Sequence, residues 1–253
     1  MDSLTIAGIV LGCTFGGTLL GLLLQYVLPS DHLHAESKDV IKLGTGLIAT
    51  MAALVLGLLI GAAKNAFDAQ AAAFERLATN IVLVDRALAH YGPDAQGARE
   101  QLRHTVATVI EHVWPDQGPR IEGLAIATIS TEGQALYQAL SGLQPHNPEQ
   151  RDAQTQAMQI NADMSRTRWQ LNQWDDGSLP LPFLIVLVFW LFILFLSFGL
   201  FSPRNGTVVA ALFVCALSVA GAAFLIVDLD QPFEGLIQTS NAPLRHALAQ
   251  LGQ

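Results

Sequence analysis

Few side chains in this sequence could do chemistry, and the most conspicuous are three carboxylates. The stretch "FLIVDLDQPFEGLI", residues 224–237, begins as an apolar helix and then carries Asp228, Asp230 and, beyond Pro232, Glu234. Carboxylates at that spacing have three uses. They are the hydrated end of a helix stopped by Pro232, with Phe233 and Leu236 dipping back into apolar surroundings. Or they pair with a cation such as Lys64, Arg166 or Arg168 and fix one part of the chain against another. Or Asp228, Asp230 and Glu234 begin a calcium site, since that hard cation takes about six to eight oxygens.

Other candidates are sparse. "DHLH" places Asp31, His32 and His34 near Glu36, a set able to ligate a metal, although such residues in a short loop are usually only solvated. "NGT" at Asn205 fits a glycosylation pattern but falls in a tight turn. No GxSxG, HExxH, Walker loop or CxxC is present, so an enzyme is not expected. Lys64 closes the apolar run "GLIATMAALVLGLLIGAAK", and a cation there would attract anions to whatever that run lines.

The elements that must position these groups follow from composition. Of 253 residues, 51% are hydrophobic and 13% charged, about half the charge share of a soluble domain. A net charge of -8 argues against nucleic acid as a partner. Cys13 and Cys215 each lie within an apolar run, so no disulfide framework is expected. Four segments reach the roughly 20 apolar residues that cross a bilayer: 4–28, 40–63, 179–201 and 207–227. The fold class is therefore all-α, an integral membrane protein with four transmembrane helices and a helical bundle inserted between the second and third.

Residues 1–63 hold spans one and two, 64–178 the extramembrane insert, 179–227 a hairpin of spans three and four, and 228–253 the acidic motif with an interfacial amphipathic tail. Within the insert, Phe67, Phe74, Ile81 and Leu88 recur every seventh residue, and Leu77, Val84 and Tyr91 stand three further on. That seam continues the second span as a helix as far as "YGPD". Further helices are expected over 96–114, 132–143 and 149–174, and the tail should form one with Leu244, Ala247, Leu248 and Leu251 on one face, lying against membrane or insert. Arg166 and Arg168, shortly before span three, read as interfacial anchors. An even number of spans puts both termini and the insert on one side. Four cations near the membrane there (Lys64, Arg76, Arg166, Arg168) against three opposite (Lys38, Lys42, Arg204) make that side cytoplasmic.

The first span spaces Gly8, Gly12 and Gly16 by four, and Gly17 and Gly21 likewise, which lets helix backbones touch. The second carries Gly46, Thr50, Ala53, Gly57 and Gly61 on one stripe that ends at Lys64. That stripe is either packing within the subunit or the wall of a water-filled conduit between subunits, and periodicity does not separate the two. The third span, crowded with phenylalanines, should face lipid at the edge of the subunit.

The glycine-rich second span with "AAKNAFD", the Trp114-Pro115 pair and the ending "VDLDQPFEGLIQTSNAPLRHALAQL" resemble a family of bacterial membrane proteins that carry a bestrophin-like domain. The family's closing motif matches at Asp228, Leu229, Asp230, Pro232, Phe233 and Gly235, while Gln231 replaces its usual basic residue. The resemblance implies a channel like the bestrophins: four segments per subunit, a pentamer in membrane lipid, and a pore lined by the second segment. Gly46, Thr50, Ala53, Gly57, Gly61 and Lys64 would then face the pore. It also implies calcium as an optional cofactor at the acidic ending and a place in the bacterial inner membrane. The paired phenylalanines of the bestrophin constriction have no counterpart in the second span. The alternative is a non-conducting scaffold or signalling protein acting through its cytoplasmic bundle.

Overall fold

A computed structural model describes residues 3–27, 35–114, 122–174, 181–203, 205–230, 237 and 239–252. Those residues form α1 (Ser3–Val27), α2 (Ala35–Tyr91), a single 3-10 turn (Pro93–Ala95), α3 (Gln96–Val113), α4 (Glu122–Ser141), α5 (Pro148–Trp174), α6 (Leu181–Phe201), α7 (Gly206–Asp230) and α8 (Ala242–Gln250). No strand occurs among them. Four of the helices (α1, α2, α6 and α7) are long and apolar enough to cross a membrane. The protein is an all-α, multi-pass membrane protein.

The chain divides into two compact units, Met1–Phe67 with Gly177–Gln238, and Asp68–Asp176 with Thr239–Gln253. In the first, α1 runs alongside α6 and α7. Glycines explain how closely α1 meets α6. A Cβ on Gly17 would lie 2.9 Å from the Phe192 carbonyl oxygen; one on Gly21 would strike the backbone at Leu196, and one on Gly199 the backbone at Thr18. Gly17 and Gly21 are therefore the packing stripe the spacing predicts, and their partner is α6. Gly8 and Gly12 meet nothing within the subunit.

Polar groups on α1 are satisfied internally, as hydrocarbon surroundings demand. Thr14 donates to the Val10 carbonyl at 2.8 Å, and Thr18 to that of Thr14. The Gln25 amide donates to the carbonyls of Leu200 and Ser202, which the end of α6 leaves without helical partners. Phe15 and Phe213 meet edge to face, with centroids 5.1 Å apart, on the α1–α7 side.

The third span has a packed side as well as an outward one. Its most apolar stretch is 33% buried, the largest share of the four, with Leu187, Leu191, Leu194 and Phe195 all inside. Phe183, Phe189 and Phe198 remain exposed on its other side. The second span is the most exposed, at 17%.

In the second unit the predicted seam is real. Phe74, Leu77, Ile81, Val84, Leu88 and Tyr91 are buried; Phe67, the first residue of the heptad, belongs to the first unit. Gly92, at φ 106°, takes the left-handed turn that ends α2, and Pro93 opens the next element. On α3 the buried line is Leu102, Val106, Ile110 and Val113, with Ile110 rather than Val109 at the centre. Helix α4 begins at Glu122, ten residues before the expected start at 132. Helix α5 is capped by Asn147, whose side chain accepts from the Gln150 amide at 2.7 Å. The tail helix α8 turns Leu244 and Ala247 inward and packs on α3, so its apolar face is covered by protein rather than laid on lipid.

Candidate functional site

On α2 the sequence divides two faces cleanly. Ala52, Leu59 and Ala63, supported by Ile48, Val55 and Leu56, pack against Leu187, Leu191 and Leu194 of α6 and Ile226 of α7. At about 100° per residue, Gly46, Thr50, Ala53, Gly57 and Gly61 fall on the opposite side of the helix. All five are exposed, as is Lys64, and Gly46, Gly57 and Gly61 have nothing within 4 Å of where a side chain would begin. The stripe is therefore not packing within the subunit. It lies on the subunit's open side, flanked by the exposed Leu43, Leu47, Leu54 and Leu58, and ends in a cation. The Thr50 hydroxyl donates back to the Leu47 carbonyl at 2.8 Å, which leaves its oxygen lone pairs outward on that face.

The acidic ending is built differently from a hydrated helix terminus. Helix α7 continues to Asp230, and Asp228 is fully buried, at 0% exposure. Its Oδ1 accepts from the Ser3 hydroxyl at 3.1 Å, and its Oδ2 from the Ile237 amide at 3.0 Å. One carboxylate so ties the start of α1 to the end of α7 and to the chain that follows. Two donors satisfy the oxygens of a side chain whose burial without partners would be costly. Asp230 is half-buried. The remaining motif positions, Pro232, Phe233, Glu234 and Gly235, lie outside the described residues, as do Asp31, His32 and His34.

For calcium, both oxygens of Asp228 already accept a hydrogen bond, so the carboxylate is oriented towards donors. Among the described residues no three His, Cys, Asp or Glu side chains converge to hold a metal ion. A set including Glu234 extends beyond them.

Ser3 escaped the sequence reading, because a serine 225 residues from its partner carries no local signal. So did the ion pair of the second unit. Arg99 grips Asp85 with two bonds of 2.8 Å each, and the Gly252 amide adds a third donor at 3.2 Å. Burial alone would push the Asp85 carboxyl up. The Arg99 hydrogen bond, the Gly252 amide and the Arg99 charge outweigh that and hold it below its ordinary range. The same pairing raises Arg99. The C-terminal segment is held at both ends, since Trp114 donates its indole N–H to the Thr239 carbonyl at 3.1 Å and meets Phe74 edge to face.

Of the two expected anchors, Arg166 is exposed and bridges Asp163 at 3.0 Å. Arg168 is half-buried and turned into the bundle instead.

A model of the family described as "Bestrophin-like domain" matches residues 12–244. The chain belongs to the bestrophin-like family. This bestrophin-like chain is also similar in fold to a solved crystal structure of a bacterial bestrophin homolog from Klebsiella pneumoniae, carrying an isoleucine-to-threonine mutation. The TM-score is 0.64 over 97% of this chain and 98% of that one, at 12% identity. At that identity the likeness is one of fold. No curated protein matches the chain.

Proposed function

We propose that this protein is an oligomeric ion channel in which the second span of each subunit lines a shared pore. The observation that carries the reading is the exposed face of α2, where Gly46, Thr50, Ala53, Gly57 and Gly61 lead to Lys64 opposite the side packed on α6 and α7. Small side chains leave width for water and ions, and a ring of lysines at the mouth favours anions. Membership of the bestrophin-like family supports conduction. A homo-oligomer in the bacterial inner membrane, with termini and insert cytoplasmic, completes the proposal, and five is the subunit number by resemblance.

The acidic ending is a structural joint in this reading. Asp228 positions the first and last spans through the Ser3 hydroxyl and the Ile237 amide. Recording from purified protein in planar bilayers tests the function. Currents that reverse near the chloride potential support it. Silence across voltage, pH and calcium would favour a membrane-anchored scaffold that acts through the insert.

A further inference from the structure

The membrane-spanning part of α2 carries two outward stripes, and the proposed pore uses one of them. The other is apolar and bulky: Leu43, Leu47, Met51, Leu54 and Leu58 are all exposed. At about 100° per residue these five fall within an arc of about 80°. The centre of that arc lies roughly 90° from the stripe of Gly46, Thr50, Ala53, Gly57 and Gly61. It lies roughly 140° from the side packed on α6 and α7, where Ala52, Leu59 and Ala63 are buried.

Those angles decide what lies beside each face of a helix in a pore wall. With the small-residue stripe towards the pore, the helix has an outer side and two flanks along the wall. Ile48, Ala49, Val55 and Leu56 widen the packed side, so α6 and α7 cover the outer side and one flank. The leucines occupy the other flank. Among the described residues of the subunit that flank stays open, with Leu43 at 77% exposure and Leu54 at 74%. Lipid does not close it, because hydrocarbon bordering a water-filled pore would itself face the water. A ring of subunits does close it, by joining two different surfaces of the same chain.

We propose that Leu43, Leu47, Met51, Leu54 and Leu58 form the contact through which the second span of one subunit meets the next. The partner is a second copy of this chain, and the pore wall is incomplete without it. This contact rests on the pore reading above and adds the side of α2 on which the neighbour sits. Spans associate in lipid by van der Waals packing, so changing these side chains should act on assembly and leave the subunit folded.

The test measures the mass of the full-length protein in maltoside micelles over a dilution series, with bilayer recording of the same samples. Wild type should be a homo-oligomer. Leu54→Trp should lose the oligomer and keep its helical content by circular dichroism, since so exposed a residue has little of its own subunit to disturb. Leu54→Ala removes contact without adding bulk, and should dissociate at a several-fold higher protein concentration than wild type. A Leu54→Trp protein that assembles and conducts like wild type places the leucines in lipid. One that assembles and no longer conducts, where wild type does, places them in the pore. Either result overturns the proposal, as does equal dissociation of wild type and Leu54→Ala. A wild type that assembles without carrying current rejects the pore reading alone, and the masses of the variants still decide the contact. A wild-type monomer overturns both.

Discussion

Asp228 shows how much a single buried side chain can organise. Its two oxygens hold Ser3 and the Ile237 amide, and each neutral donor to a charged acceptor contributes roughly 1.5–3 kcal/mol. Asp228→Asn replaces one acceptor by an amide that confronts a donor, so it should destabilise the protein by about 1 to 3 kcal/mol. Ser3→Ala should act in the same direction by less. Melting curves in detergent check both, run with and without a chelator. Added calcium should change neither wild type nor variant, and a calcium-dependent gain lost in Asp228→Asn would make the carboxylate a ligand. At Gly21 the question is steric. A methyl there strikes the α6 backbone, so Gly21→Ala should cost about 1 to 3 kcal/mol or more, whereas Gly57→Ala meets nothing in its own subunit and should leave a subunit's melting unchanged. The carboxylates were visible as residues from the outset. Their depth was not, because burial of Asp228 depends on Ser3 at the far end of the chain.

Among the elements, those with strong periodicity were legible and those without it were not. The heptad from Phe67 to Tyr91 predicted a buried seam because each position meets the same side of one helix, and the structure buries it. The start of α4 was missed because residues 122–131, "EGLAIATIST", show no amphipathic pattern to mark a helix. In the third span the phenylalanines carry no sign of the packed side, because a phenylalanine is equally at home against lipid and against another helix; the glycines of α1 mark that contact. Helix α8 owes its place to Asp85, which ties Gly252 and Arg99 together. Arg99→Ala leaves the carboxylate buried, with 7% of its side chain exposed, and should destabilise the second unit by about 3 kcal/mol, the low end for opening a buried pair. Because the folded pKa of Asp85 lies below its unfolded value of about 3.9, this stabilisation is complete above that pH. It is lost as pH falls through the folded value. Acid melting of wild type should therefore steepen below pH ~4, and Arg99→Ala should flatten that slope.

At the scale of the whole molecule, sequence and structure agree on an all-α chain with four apolar helices, while which side of the second span is packed within the subunit needed the structure. A stripe of small residues reads the same whether it packs inside a subunit or faces outward, and only the position of α6 and α7 on the other side of α2 decides between them. The proposed shared pore requires neighbouring subunits. The protein in nanodiscs should have the mass of a homo-oligomer, and a monomer there would remove the shared pore. The most direct test is single-channel recording from Ala53→Cys protein exposed to a charged thiol reagent, with wild type, which retains Cys13 and Cys215, as the control. If the second span lines the pore, wild-type current persists through the reagent while the Ala53→Cys current is blocked. Currents from both that are equally untouched would contradict that lining, and no current from either would contradict the channel itself.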